Sequence, residues 1–180
     1  VFYEASPRCV DIPQAQAICR ALPPFVSAVA LFVNAAPERI AATLTAVPVD
    51  LLQFHGSEAM DDCHAYGRPY IKAIGMQPGT DPVAVMRDYP DASGFLLDAY
   101  QPDIHGGGGV TFDWGQVPAQ CDRPVVLAGG LKADNVAAAI EQARPFAVDV
   151  SSGVEQSKGV KDPVLIEQFC SEVRRVDSEC

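Results

Sequence analysis

A single carboxyl group interrupts an apolar segment near the middle of the chain. Asp98 directly follows Phe95, Leu96 and Leu97, where a purely structural acid has little reason to lie. Apolar neighbours favour the neutral form of a carboxyl group, which can donate a proton to a substrate. The structural alternatives are a helix cap or a salt-bridge partner. Asp98 is therefore a candidate general acid.

Glycine and serine follow two later apolar segments, which read LAGGL at 127–131 and DVSSGV at 149–154. Glycine lets backbone N–H groups approach an anion closely, and serine hydroxyls add further donors. In phosphate-binding (β/α)8 barrels, the loops after strands seven and eight hold the phosphate with such groups. We predict that the phosphate-binding residues are Gly129, Gly130, Ser151, Ser152 and Gly153.

Four consecutive glycines, Gly106 to Gly109, follow the segment that ends at Asp98. Such a run is unsuited to a helix or a strand, because glycine loses more conformational freedom on folding than any other residue. We expect a loop over the same face, with Gly107 and Gly109 contacting the substrate. A plain flexible connection is the alternative for this segment.

Three further polar residues lie in or beside predicted strands. The Arg8 guanidinium can hold a carboxylate or phosphate by two parallel hydrogen bonds, although a solvated surface arginine is the alternative. His55 ends a predicted strand and can contact substrate or transfer a proton; a hydrogen bond to loop backbone is equally consistent. Lys72 lies inside a strand, where pairing with a carboxylate in a structural role is favoured over a role in the site.

Short β-branched segments alternate with helical patterns along the whole chain, which indicates a parallel α/β architecture. The predicted strands are 1–3, 28–33, 51–54, 70–74, 94–97, 125–127 and 148–150. The predicted helices are 13–22, 37–47, 57–66, 82–89, 135–143 and 163–176, with a short turn after Asp113.

Polar or glycine-rich clusters follow nearly every predicted strand, and no GxGxxG follows the first. This pattern favours a (β/α)8 TIM barrel over a doubly wound sheet. A closed barrel needs eight strands, whereas the pattern contains seven and the first is a stub. We therefore expect residues 1–180 to be a single phosphate-binding barrel domain that lacks the first strand, the first helix and the start of strand two. A natural seven-stranded or open fold is the alternative.

Composition excludes several classes of protein. The net charge of −10 argues against nucleic acid or an anionic membrane surface as a partner. No apolar run approaches the roughly 20 residues that a membrane span needs. Six cysteines without a CxxC pair argue against zinc and favour reduced thiols in the cytoplasm.

Taken together, the motifs resemble those of the phosphoribosylanthranilate isomerase family, in the family's order and over essentially the whole chain. The motifs are FYEASPR at 2–8, LFVN at 31–34, LLQFHG at 51–56, LLDAY at 96–100, GGGGVTFDW at 106–114, LAGGL at 127–131 and DVSSGVE at 149–155.

The resemblance implies a (β/α)8 barrel of tryptophan biosynthesis that performs an Amadori rearrangement of N-(5-phosphoribosyl)anthranilate without a cofactor or metal. The acid that matches Asp98 protonates the ribose ring oxygen, and the ring opens to an iminium. A cysteine then removes the C2 proton. The resemblance also implies that Arg8 can clamp the anthranilate carboxylate. By the same resemblance, the expected binding partner is a small anionic sugar-phosphate substrate. The expected oligomeric state is a monomer or a homodimer, and some relatives are fused to another barrel of the pathway.

The sequence departs from the family pattern at two places. The family's general base lies in a first-strand pattern like KICGIT, which this sequence does not contain, so no cysteine is assigned as the base. Gly108 stands where threonine is usual. We therefore expect these 180 residues alone to be poorly active. The alternatives are another phosphate-binding barrel enzyme or a non-catalytic barrel that binds a phosphorylated metabolite.

Overall fold

The computed structural model describes residues 1–99 and 111–179. Helices and strands alternate along most of the chain, as the sequence predicts. The helices are α1 (Ile12–Ala21), α2 (Pro37–Ala46), α3 (Met60–His64), α4 (Pro82–Arg87), α5 (Val136–Ala143) and α6 (Pro163–Glu179). The strands are β1 (Val29–Phe32), β2 (Leu51–Phe54), β3 (Tyr70–Met76), β4 (Gly94–Ala99), β5 (Val125–Leu127), β6 (Ala147–Val148), β7 (Glu155–Ser157) and β8 (Val160–Lys161).

The first six strands form one sheet in chain order, and the remaining two form a separate two-stranded sheet. The pairings of β1 with β2, β2 with β3, β4 with β5 and β5 with β6 are all parallel. Parallel strands need a crossover between them, and an α-helix supplies it between β1 and β2, β2 and β3, β3 and β4, and β5 and β6. The protein is therefore an α/β structure with a six-stranded parallel sheet.

The chain divides into two compact units. The first unit comprises Val1–Ala73 and Tyr89–Ser93. Its core is aromatic: the ring centroids of Phe32 and Phe54 lie 6.4 Å apart, and Tyr70 meets Phe54 edge-on at 5.8 Å. Phe32, Phe54 and Tyr70 are at most 1% exposed, so these three strands are fixed by burial of large rings.

Local sequence signals explain where α1 and α2 begin. Asp11 caps α1 by accepting a hydrogen bond from the Gln14 N–H, and Gln14 Oε1 accepts one from the Asp11 N–H. This capping box satisfies two backbone donors that the helix leaves free. Pro37 begins α2, where its missing N–H costs nothing.

The second unit comprises Ile74–Asp88 and Gly94–Cys180. Its core is mainly aliphatic: Leu97 and Leu127 are fully buried on paired strands, together with the aromatic Phe95. Helix α6, which the sequence predicts over 163–176, buries Phe169 and Val176. The expectation that all 180 residues are one domain stays a prediction.

Two predicted strands differ in the structure. Residues 1–3 form no strand, although the Phe2 N–H donates to the Leu31 carbonyl at 2.8 Å. The last predicted strand, 148–150, is instead Ala147–Val148, because the chain leaves the sheet to enter a 3₁₀ helix at Ser152–Val154. The sheet therefore has six strands where the sequence predicted seven.

The helix predicted over 57–66 is shorter in the structure and begins at Met60. The Ser57 N–H is held by the Asn34 side chain at 2.8 Å, and the Glu58 side chain is bonded to other loop groups. These tertiary bonds keep the first residues out of the helix. The β7–β8 hairpin was not predicted; its strands are only three and two residues long. None of the helices in the described part of the chain is long and apolar enough to span a membrane.

Candidate active site

Asp98 is a buried acid at the carboxyl end of an apolar strand. It is the penultimate residue of β4 and is 6% exposed. The neighbouring Leu97 pairs with Leu127 of β5, and the Leu97 carbonyl accepts a hydrogen bond from the Ala128 N–H at 2.8 Å. The strand pairing therefore brings the chain after Leu127 alongside Asp98.

Gly129 lies directly against the carboxyl group of Asp98. A Cβ on Gly129 would stand 3.0 Å from Asp98 Oδ1 and 2.4 Å from the Ala99 backbone nitrogen. Gly129 also has a φ of +88°, and Gly130 has a φ of +62°. Only glycine adopts such angles freely and leaves room for so close an approach. The double glycine thus allows the β5 loop to pass across the acid.

The loop after β6 meets the loop after β5. A Cβ on Gly153 would stand 1.9 Å from the Leu131 carbonyl oxygen, so the two backbones touch. The Asp149 N–H donates to the Leu127 carbonyl at 2.8 Å and continues the strand pairing up to this loop. Asp98, the Gly129–Leu131 bend and the Ser151–Gly153 bend are therefore neighbours at the carboxyl ends of three adjacent strands.

Side chains of Asn135 and Lys161 form hydrogen bonds to the backbone of the Gly129–Leu131 and Ser151–Gly153 bends. The Asn135 amide donates to the Gly130 carbonyl at 3.0 Å and accepts from the Lys132 N–H at 2.9 Å. Lys161 donates to the Ser151 carbonyl at 2.6 Å and pairs with Glu155 at 3.0 Å. The bonds to Gly130 and Ser151 use the carbonyls of these residues and not their N–H groups. Within residues 1–99 and 111–179, the Gly129 and Gly130 N–H groups donate to no protein acceptor.

The predicted site residues of the first unit have their own surroundings. Arg8 is half-buried, and its backbone N–H donates to Ser6 Oγ at 3.2 Å. His55 follows β2 and is half-buried; its Nδ1 lies 3.0 Å from the Gln53 amide nitrogen, and its N–H donates to the Phe32 carbonyl at 2.9 Å. The Gln53 contact holds the orientation of the imidazole ring.

Lys72 is paired with a carboxylate, as the sequence predicted, and the carboxylate is that of Glu58. The Nζ–Oε2 distance is 3.0 Å, and both side chains are buried. Sequence reasoning did not single out Glu58. A signal was available: an acid three residues after a strand-end histidine, beside a strand that contains a lysine. The pair is therefore a buried polar feature that the motif analysis missed.

The predicted Gly107 and Gly109 lie outside the described residues. The adjoining segment is described from Thr111 onward, and there Asp113 accepts a hydrogen bond from the Gly115 N–H at 3.0 Å to begin a 3₁₀ helix.

Thiols and metal ligands are scattered rather than clustered. Cys9, Cys19, Cys63, Cys121 and Cys170 are free thiols. Burial raises the pKa of the Cys63 thiol to about 12, with the carboxylates of Glu58 and Asp62 adding to the effect and Lys72 opposing it. No group of three or more metal-ligating side chains occurs in the part of the chain that the structure describes.

A groove of about 410 Å³ in the second unit lies away from these loops. Its lining includes Cys121, Arg123, Pro124, Val125 and Phe146, which surround the start of β5. Ligands of parallel α/β proteins bind at the carboxyl ends of strands, whereas the opposite ends serve stability. We therefore assign the candidate active site to the loops around Asp98 and not to this groove.

Comparison with known proteins identifies the family of the chain. The PRAI family, N-(5'phosphoribosyl)anthranilate (PRA) isomerase, matches residues 1–172. The N-(5'-phosphoribosyl)anthranilate isomerase of Pseudomonas fluorescens strain Pf-5 is 56% identical over 175 residues, covering 97% of this chain and 83% of the relative. That of Pseudomonas aeruginosa strain UCBPP-PA14 is 55% identical over 174 residues, covering 97% and 82%.

Solved structures agree with the sequence comparison. Phosphoribosyl anthranilate isomerase from Thermotoga maritima superimposes with a TM-score of 0.84 at 38% identity, covering 97% of this chain and 85% of that one. A phosphoribosyl anthranilate isomerase in complex with reduced 1-(o-carboxyphenylamino)-1-deoxyribulose 5-phosphate has a TM-score of 0.80 at 36% identity, covering 97% and 84%. The chain therefore belongs to the phosphoribosylanthranilate isomerase family, enzymes that isomerise N-(5'-phosphoribosyl)anthranilate in tryptophan biosynthesis.

Proposed function

We propose that Asp98 is the general acid of this isomerisation and that the adjoining glycine bends bind the phosphate of the substrate. The observation that carries the proposal is the approach of Gly129 to the Asp98 carboxyl group, with a Cβ position 3.0 Å from Oδ1. The acid and the backbone N–H donors would then contact the same bound substrate. The residues proposed for the phosphate are Gly129, Gly130, Ser151, Ser152 and Gly153.

The chemistry needs a proton at the ribose ring oxygen. Protonation by Asp98 breaks the bond from C1 to the ring oxygen, and the nitrogen lone pair forms the iminium. Loss of the C2 proton to a base gives an enol-amine, which tautomerises to the ketone of the product. A carboxyl group placed beside that oxygen can supply this proton, and Asp98 is a buried carboxyl next to the proposed phosphate-binding bends.

Binding the substrate by its phosphate fixes its reacting carbons relative to the acid. Holding the reacting groups in place lowers the entropic part of the barrier. We propose that Arg8 binds the anthranilate carboxylate, that His55 contacts the substrate, and that Gly107 and Gly109 contribute backbone donors. We assign no general base to the cysteines of this sequence.

The ligand of a related enzyme supports a sugar-phosphate substrate. The complex described above holds a reduced carboxyphenylamino-deoxyribulose phosphate, which has the phosphate and carboxylate groups that these residues suit. We further propose that the six-stranded sheet belongs to a (β/α)8 barrel, and that the enzyme works in the cytoplasm without metal or cofactor. A monomer or a homodimer is expected, and a Thermotoga maritima relative is described as dimeric.

Inorganic phosphate provides the test of the phosphate site. In assays of the whole protein with N-(5-phosphoribosyl)anthranilate, phosphate should raise KM and leave kcat unchanged. Gly153→Ala should weaken this inhibition at least about fivefold, because its methyl group meets the Leu131 carbonyl at 1.9 Å and displaces the bend. Inhibition that lowers kcat without changing KM, or that Gly153→Ala leaves intact, contradicts a phosphate site beside Asp98.

A further inference from the structure

A buried ion pair in the first unit is not used by the mechanism above. Lys72 Nζ lies 3.0 Å from Glu58 Oε2, and the side chains are 4% and 6% exposed. A buried ion pair is weak evidence for stability, because the desolvation of both charges offsets their attraction. The hydrogen bonds that the two charged groups make to the surrounding backbone therefore indicate their role better than the ion pair itself.

Both members of the pair bind the loop that follows β2. Glu58 Oε2 accepts from the Gly56 N–H at 2.9 Å, and Lys72 Nζ donates to the Gly56 carbonyl at 2.6 Å. Gly56 is thus held through both its peptide groups. The neighbouring residue on the amino side of Gly56 is His55.

Glu58 also ties this loop to the end of β1. Its Oε1 accepts from the Asn34 N–H at 2.7 Å, and Asn34 Oδ1 accepts from the Ser57 N–H at 2.8 Å. Asn34 has a φ of +47°, which asparagine tolerates better than most residues. The Tyr89 hydroxyl completes the set by donating to the Glu58 carbonyl at 2.9 Å.

Hydrogen bonds therefore hold His55 and the residues that follow it. The backbone N–H of His55 donates to the Phe32 carbonyl, and its ring contacts the Gln53 amide. The backbone of Gly56 and Ser57 is bonded to the side chains of Glu58, Lys72 and Asn34. Charge-assisted hydrogen bonds are about twice as strong as neutral ones, so the two charges make this loop rigid.

We propose that Glu58 and Lys72 are positioning residues for the isomerase, which act by fixing the loop that carries His55. The proposal rests on the proposed contact of His55 with the substrate. A positioning role differs from a purely structural one because it acts through His55. The loss of the pair must then change substrate binding even where the fold is restored.

The neutral double variant Glu58→Gln/Lys72→Met separates these roles in the whole protein. Glu58→Gln alone leaves a buried, unpaired lysine and should lower the melting temperature clearly; the double variant removes both charges and should recover most of that loss. We expect the double variant still to raise KM about tenfold with a much smaller change in kcat, because the Gly56 carbonyl loses its lysine donor. Wild-type KM in a stable double variant overturns the proposal.

A double-mutant cycle that combines the Glu58→Gln/Lys72→Met replacement with His55→Asn tests whether the change in KM acts through His55. In that background the double replacement should change KM by less than about twofold, since coupled residues are not additive. Equal effects with and without His55 contradict a role through His55.

Asn34→Gly covers the case in which the double variant does not fold. It keeps the buried pair and the backbone conformation of residue 34 but removes the acceptor of the Ser57 N–H. We expect a KM increase of about threefold that disappears with His55→Asn; an unchanged KM overturns the proposal.

Hydrogen exchange distinguishes failure of this inference from failure of the proposed function. The Gly56 and Ser57 amides should exchange at least about tenfold faster in the double variant, whatever its activity. If replacement of His55 leaves KM unchanged while these amides are released, the proposed substrate contact of His55 is wrong. If the amides keep their protection, the loop does not depend on the pair and the positioning role is wrong.

Discussion

The backbone of Gly129 passes so close to Asp98 that a Cβ on Gly129 would stand 3.0 Å from Asp98 Oδ1. Two requirements meet at this position. The φ of +88° demands glycine for the turn, and the contact with Ala99 demands the absence of a side chain. The turn after β5 can therefore pack against Asp98 of β4 only with glycine at position 129.

Gly129→Ala should lower kcat/KM at least about 100-fold, because the added methyl group displaces Asp98 and the Gly129–Leu131 bend together. Gly79→Ala is the matched control, since Gly79 has a φ of +86° and nothing within 4 Å of its Cβ position. Both variants should lose about 1–2 kcal/mol of stability from the backbone strain. Equal kcat/KM for the two variants contradicts a functional contact at Gly129.

Arg8→Ala should raise KM about 10- to 100-fold with a small change in kcat, because a charged hydrogen bond to the substrate carboxylate contributes about 1.5–3 kcal/mol. Arg20→Ala, which removes an exposed arginine from the last turn of α1, serves as the control and should keep wild-type KM. Steady-state kinetics of both variants decide the point. A KM for Arg8→Ala equal to that of Arg20→Ala removes Arg8 from the site.

The buried thiol of Cys63 predicts a loss of stability at alkaline pH. Its pKa is raised to about 12, mainly by burial, whereas an unfolded cysteine titrates near 8.5. Between these values the unfolded chain loses a proton that the folded chain keeps. The free energy of unfolding should therefore fall with rising pH, by up to about 1.4 kcal/mol per unit from this group.

Urea unfolding of wild type and Cys63→Ala between pH 7 and pH 10.5 measures this contribution. The variant should lose less stability over that range than the wild type, whatever its stability at pH 7. Cys121→Ala, which removes an exposed thiol, should keep the wild-type pH dependence. Identical slopes for wild type and Cys63→Ala contradict the predicted titration.

Continuous apolar segments predicted most of the sheet, because strands such as β2 and β4 are buried on both faces. Strands 51–54 and 125–127 have the predicted bounds, whereas the strand predicted over 94–97 continues to Ala99 and includes Asp98. The strand predicted over residues 1–3 is wrong, because an apolar segment alone does not show whether its backbone pairs with a neighbouring strand. Their described bond to a strand is the one from the Phe2 N–H to the Leu31 carbonyl, whereas the Val1 and Tyr3 carbonyls accept from Val10 and Ser6.

The motif pattern located the glycine bends, but not what holds them. Asn135 and Lys161 bind the bends from positions 5 and 10 residues away. Glu58 and Lys72 are 14 residues apart and meet only through the pairing of β2 with β3. Such contacts depend on tertiary structure and leave no periodic signal in the sequence.

Asp98→Asn measures the central claim most directly. The substitution keeps the size and shape of the side chain and removes the proton donor. In the whole protein kcat should fall by about 10²- to 10⁴-fold, while the dissociation constant of the carboxyphenylamino-deoxyribulose phosphate product, measured by calorimetry, should change by less than about fivefold. Asp88→Asn, at an exposed aspartate after α4, should match wild type in both measurements. Turnover by Asp98→Asn at the wild-type rate would contradict the assignment of Asp98 as the acid.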